Sequence, residues 1–182
     1  SKDVEADDSI LEHTKARLPW LVLALLGGFV SVRVLGLFEG AMVEDGKLFF
    51  FTPLIAAMAG NVGVQSSAII VQGLANNTLS GSLFNRLVKE VSLSLLNGVI
   101  LAIILFLGSH FLLNVEFIIG IIVTIALISV IIIASLIGTF IPLLLDKFGI
   151  DPALATGPFI TTSNDICGIL IYFSIAKIIL GF

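Results

Sequence analysis

The sequence predicts an all-α integral membrane protein with five transmembrane helices per protomer, and three observations predict it. Of 182 residues, 58% are hydrophobic and only 12% charged, with a mean hydropathy of +1.17. A soluble domain is about 45–50% apolar and about 25% charged, so this chain has too little charge to cover a water-soluble globule. Several apolar stretches reach the roughly 20 residues that a helix needs to cross a hydrocarbon core about 30 Å thick. The runs are also continuous, as in Ile118–Ile133, whereas a transmembrane β-barrel alternates apolar and polar residues in short segments. The same composition excludes a soluble enzyme, a disordered region and a nucleic-acid-binding domain. A single cysteine, Cys167, rules out an intrachain disulfide or a cysteine-rich metal cluster.

The first span is Leu18–Phe38, with Arg33 as its one charge. Residues 1–17 before it form a polar, acidic connector without the apolar core of a signal peptide. The second, Leu48–Ala75, is uncharged; Pro53, Gly60 and Gly63 mark it as a disrupted helix with backbone carbonyls left available. The third is Val91–Leu113, and residues 82–90 read as its interfacial start, with Leu83, Phe84 and Leu87 toward lipid. The fourth is Phe117–Leu145, and the fifth, Ala153–Leu180, carries Asp165 near its middle and Lys177 near its end. The connections, 38–47, 76–90, 111–116 and 146–152, are too short for independent domains, so residues 18–182 form one membrane unit. The start without Met, just ahead of a span, leaves room for an upstream cytoplasmic domain.

Charge sets the orientation. With the N-terminus cytoplasmic, Lys2, Lys15, Arg17, Arg86, Lys89 and Lys147 lie inside, and only Lys47 and Lys177 lie outside. Glu39, Glu44 and Asp45 then fall in the first outer loop and the C-terminus lies outside. The expectation is a multi-pass protein of the cell (inner) membrane.

Polar residues at membrane depth carry the functional signal. On the second span Asn61, Gln65, Gln72 and Asn76 fall at about 0°, 40°, 20° and 60° around a helix, a single narrow amide face. Each amide alone reads as interhelical glue; the whole stripe, beside Pro53 and the glycines, reads as a water-lined path. On the fifth span Thr161, Thr162, Ser163, Asn164 and Asp165 form a polar pentad between Pro158 and Gly168. A straight helix from Asp151 would put Asp165 about 21 Å along the axis. An ionised carboxylate facing lipid costs at least about 2.5–3.5 kcal/mol, so Asp165 needs water, a cation or a partner such as Arg33, or else is protonated and hydrogen-bonded. Spans two to four hold no basic residue, which makes a cation the natural companion.

The available ligands are all oxygens, which suit Mg²⁺, Ca²⁺ or Mn²⁺; His13 and His110 are solitary and near span ends. Mg²⁺ keeps several of its waters, and a site rich in neutral hydrogen-bonding groups suits a hydrated ion. One carboxylate per chain is little charge for a divalent ion, and a twofold homodimer with the fifth helix at its axis would supply two.

At these residues the sequence resembles the membrane domain of the MgtE magnesium channels, over essentially all of residues 18–182. The likeness rests on Pro53, Gly60-Asn61-Val62-Gly63-Val64-Gln65-Ser66 and on Asp151-Pro152-Ala153, Pro158, Asp165 and Gly168. It departs from the family at Ala59, where a glycine is frequent, and at Gly157, where some members carry a pore-lining Asn. The resemblance implies a homodimer with its pore between the second and fifth helices of both protomers. It implies that Asp165 binds the ion through metal-bound waters, with the backbone around Thr161, Gly60 and the amide of Asn61 as neighbouring contacts. Gln65, Gln72, Asn76, Gly157 and Asn164 would line the path. An upstream cytoplasmic regulatory domain, absent from this chain, would close it at high internal Mg²⁺; by analogy Asp3, Glu5, Asp7, Asp8, Glu12 and Asp151 would sense the ion at the inner mouth.

The reading is therefore a Mg²⁺ channel or transporter pore domain, with Mg²⁺ as cargo, membrane lipid and a second copy of the chain as partners, and no nucleic acid. The alternative is a proton- or Na⁺-coupled carrier, against which the lack of inverted repeats argues. An intramembrane enzyme is not expected: one buried Asp supplies no aspartyl dyad, no His-Glu-x-x-His occurs, and no Ser–His pair shares a depth.

Overall fold

The computed structural model describes residues 9–79, 81–153 and 157–182, without the side chains of Met42 and Glu44. Lys2, Asp3, Glu5, Asp7 and Asp8 of the connector and Glu44 of the acidic loop lie outside the described residues. The elements are α1 (Ile10–Gly36), α2 (Gly40–Asp45), α3 (Lys47–Phe50), α4 (Thr52–Ala75), α5 (Leu83–Phe111), α6 (Phe117–Lys147) and α7 (Pro158–Leu180). No strand occurs among the described residues. Five helices, α1, α4 together with α3, α5, α6 and α7, are long and apolar enough to cross a membrane, as expected from the apolar runs.

The order of the packing follows from which helices are apolar all round. A helix without a polar face belongs in the interior, and α6 occupies it, packed against α4, α5 and α7. Close approach is achieved with small residues: a Cβ added at Gly138 of α6 would strike the carbonyl of Gly63 on α4. Ser94 of α5 donates to Ser135 of α6 across their contact, and Thr124 and Ser129 donate to carbonyls one turn back, Gly120 at 2.7 Å and Ile125 at 2.9 Å. Each hydroxyl is thereby satisfied without water, which the hydrocarbon core lacks. By contrast α1 buries none of its residues and packs mainly on α7, where Gly27 faces Thr162.

Three local expectations are corrected. Helix α1 begins at Ile10, capped by Ser9 in a reciprocal pairing with Glu12, so the described end of the connector is already helix. The second span is interrupted at Phe51, between α3 and α4, where Pro53 lies in the first turn of α4 and its missing N–H has no partner to lose, but α4 runs unbroken past Gly60 and Gly63. The backbone carbonyls there serve the helix. The fifth span starts at Pro158 and not at Ala153, because Pro also favours the first helical turn. Asp165 is therefore in the third turn of α7, about 10 Å from its first residue, in the first half of the helix and not at its middle. The interfacial start of the third span is helical from Leu83 with Ser82 as cap; Leu83 and Phe84 are exposed and Leu87 is half-buried.

Candidate metal centre

Asp165 projects from α7 onto α4 at the position where α4 has no side chain. A Cβ built on Gly60 would stand 3.3 Å from Asp165 Oδ1 and 3.2 Å from Thr161 Cγ2. Thr161 and Asp165 are one turn apart on α7 and share a face, and both are half-buried. The glycine thus leaves the space in which the carboxylate lies.

No described residue neutralises that carboxylate. Among the described residues Asp165 accepts no hydrogen bond and joins no ion pair; the one ion pair is Lys47–Glu116 at 3.6 Å. Arg33, the basic residue that could have paired with it, is exposed on α1 and forms no ion pair. No group of three His, Cys, Asp or Glu able to hold a metal occurs among the described residues. What the protomer offers is one carboxylate beside a threonine and a bare stretch of helix backbone, open enough to the surface to be only half-buried.

The other residues singled out in the sequence separate into three groups. Asn61, Gln65, Gln72 and Asn76 are all exposed, and they form one outward face of α4 that ties no helices together within the protomer. Asn61 follows Gly60 but points about 100° away from it, so its amide lies beside the Asp165 pocket without entering it. Gly157 caps α7, its carbonyl accepting from Ile160 N at 3.1 Å and Thr161 N at 3.4 Å. Asp151 is exposed on the connection before α7 and accepts from Ala153 N at 2.9 Å; it is not on the helix that carries Asp165.

Asn164 goes elsewhere. It is fully buried, wedged against Gly63 so closely that a Cβ there would collide with its amide. Its Oδ1 and Nδ2 have no hydrogen-bond partner, nor do the buried hydroxyls of Ser67 and Thr139. Two adjacent pentad residues therefore face different neighbours, as the 100° step between them requires: Asn164 faces the interior crossing at Gly63 and Asp165 the outer flank at Gly60.

Sequence reasoning missed two polar features. Ser66 of α4 donates to Glu90 Oε1 of α5 at 2.6 Å, and Tyr172 of α7 donates to the carbonyl of Leu48 at 2.7 Å. Glu90 stands just ahead of the apolar run of the third span, a signal that could have found it; nothing local signals the Tyr172 contact.

Comparison with known proteins bears on this geometry. The family model named MgtE, described as a divalent cation transporter, matches residues 52–175. The chain is 36% identical over 176 residues to a magnesium transporter MgtE of Bacillus subtilis, covering 96% of this chain and 39% of that protein. It is 37% identical over 183 residues to one of Enterococcus faecalis, with 98% and 39% covered. With one of Thermus thermophilus it shares 34% over 171 residues, 91% of this chain and 36% of the other. The chain thus spans about two fifths of the length of these curated relatives.

Proposed function

From the premise that the chain belongs to the MgtE family of divalent cation transporters, we propose that it forms the membrane-spanning path for Mg²⁺ in a homodimer, with Asp165 of both protomers at its centre. The observation that carries the proposal is the Asp165 carboxylate itself. It lies within a helix long and apolar enough to cross a membrane, half-exposed at the protomer surface, over a glycine, with no ion pair among the described residues. A bare carboxylate there is costly, and a cation with its water removes the cost. Two such carboxylates across a twofold axis would give a divalent ion matching charge.

In this mechanism the N-terminus is cytoplasmic and the ion enters from the opposite side. An inside-negative potential of 100 mV contributes about 4.6 kcal/mol per divalent ion moved inward. The hydrated ion pauses between the Asp165 carboxylates, its waters donating to them and to Thr161. It then passes the exposed amides of Gln65, Gln72 and Asn76 on its way to the end of α4 nearest Asp151. Binding through water is weak enough to allow release, which conduction requires. The remaining three fifths of the relatives' length is the natural place for a domain that senses internal Mg²⁺ and closes the path.

The test is Mg²⁺ uptake into proteoliposomes. Asp165→Ala should lower uptake at least tenfold while the dimer still elutes at its normal size; uptake at the parental rate would end the central role of Asp165. Uptake that requires a proton or Na⁺ gradient would instead indicate a coupled carrier.

A further inference from the structure

Buried polar atoms without a partner are gathered at one place in the fold. Among the described residues five buried side-chain nitrogen and oxygen atoms make no hydrogen bond, and four of them belong to Ser67 of α4, Thr139 of α6 and Asn164 of α7. The fifth is the hydroxyl of Thr52, in the first turn of α4. Ser67, Thr139 and Asn164 are each fully buried. The large majority of buried side-chain polar atoms in folded proteins are paired, and each one left unpaired lowers stability. Four of them on three adjoining helices call for one common cause.

All three residues belong to the crossing of α4, α6 and α7 at Gly63. A Cβ there would collide with the Asn164 amide and come within 3.1 Å of Ile160 Cγ2, while a Cβ on Gly138 of α6 would strike the Gly63 carbonyl. Gly63 is thus gripped from two sides. Ser67 stands one turn further along α4, about 40° around from Gly63, and Thr139 directly follows Gly138. The backbones, pressed together at the two glycines, set the spacing of the short side chains beside them, and at that spacing none of the four atoms bonds to another. Polar groups that share a buried region without bonding directly are joined through water.

We propose that Ser67, Thr139 and Asn164 hold a shared internal water at this crossing, inside the protomer. The lining selects water over an ion. Asn164 offers NH₂ donors and a carbonyl acceptor, and each hydroxyl both donates and accepts; none of the three is charged. A cation would meet the amide protons and an anion the amide oxygen, whereas water donates and accepts at once. A buried water makes about three hydrogen bonds, in the range of two to four, which these groups supply. The site lies one residue and about 100° from Asp165, toward the interior, so it stands apart from the ion path and does not rest on the transport reading. Asn164 then binds water in the core of the protomer and does not line the path.

Two measurements on the full 182-residue chain in detergent test this. Pulsed radiolysis turns a bound water into a hydroxyl radical that oxidises the nearest side chain. Ile160, fully buried beside the crossing, should be oxidised in the parent, while Ile122 and Val123, fully buried in the apolar core, stay unlabelled. Thr139→Val should lower the Ile160 label at least threefold. An Ile160 as unlabelled as Ile122 in the parent overturns the proposal. In thermal unfolding, Thr139→Val and Ser67→Ala should each lower the midpoint by about 2–4 °C. The double variant should lose clearly less than the sum, because both changes release the same water. A rise in midpoint on Thr139→Val, as expected when an orphaned hydroxyl is replaced by a methyl, or strict additivity of the pair, means that no water is shared there.

Discussion

Between Ile169 and Ala176 one face of α7 is sealed. Tyr172 and Phe173 are fully buried, Tyr172 donates to Leu48 at 2.7 Å, and the Phe173 ring lies 5.5 Å from that of Phe38 and 4.9 Å from that of Phe49. Before Gly168 the same helix is polar and, on the flank away from Asn164, loosely met: Asp165 rests over a glycine with no partner among the described residues, and Thr162 faces Gly27 of a helix that buries nothing. Gly168 marks the change, where an added Cβ would come within 3.2 Å of Ala59. If Asp165 meets a hydrated ion as proposed, its carboxylate cannot be packed against protein, so its place has to be fixed from elsewhere on the helix. The aromatic half does the fixing and the polar half is left open.

That division predicts substitutions with separable effects. Gly60→Val attacks the open half alone. Its side chain would occupy the space of the Asp165 carboxylate and the Thr161 methyl, and Mg²⁺ uptake should fall tenfold or more, with the elution volume on size exclusion unchanged. Uptake near the parental rate would mean that the carboxylate does not work from the place where it lies. Phe173→Ala attacks the sealed half. Removing a fully buried ring from a packed core costs about 3–5 kcal/mol, and the thermal midpoint in detergent should fall sharply. Loss of the seal should lower uptake as well, since the aromatic packing helps to hold α7 in register with Gly60.

The milder variant at the open site sharpens the comparison. Gly60→Ala adds one methyl at 3.2–3.3 Å from Thr161 and Asp165, a distance at which the neighbours must shift by a few tenths of an ångström. Uptake should fall about twofold to fivefold, with little change in thermal midpoint, because Asp165 can turn outward toward the unpacked side. A drop in stability without a drop in uptake would reverse the roles assigned to the two halves.

The open half was largely legible in the sequence and the sealed half was not, for a physical reason. A charge at membrane depth is so costly that Asp165 announces itself in one dimension, and the same cost directs attention to the glycines able to receive it. The five spans were legible because a backbone in lipid has to satisfy itself by helix formation, which leaves long apolar runs. Contacts such as Tyr172 with Leu48, or Ser66 with Glu90, join residues 124 and 24 positions apart, and no local pattern encodes them. The exact first turns of α4 and α7 are not legible, since Pro53 and Pro158 read equally well as breaks or as first-turn residues. Only the helices' partners decide between these. The separation of Asn164 from Asp165 was available from the 100° step, but which side faced inward depended on Gly63 and Gly138.

The smallest expected effect tests whether the two halves are independent. Tyr172→Phe keeps the ring, and with it the contact with Phe173 at 4.7 Å, and deletes only the hydroxyl that reaches Leu48. A single buried hydrogen bond contributes about 1 kcal/mol, and in membrane helices interhelical bonds average about 0.6 kcal/mol. A fall of a few degrees in the thermal midpoint is therefore expected, with Mg²⁺ uptake unchanged at a temperature where the protein stays folded. The aromatic stacking alone would then hold α7 in place. Should uptake fall in proportion while folding is intact, the hydroxyl would be setting the position of the carboxylate seven residues away, and the seal would belong to the ion path itself.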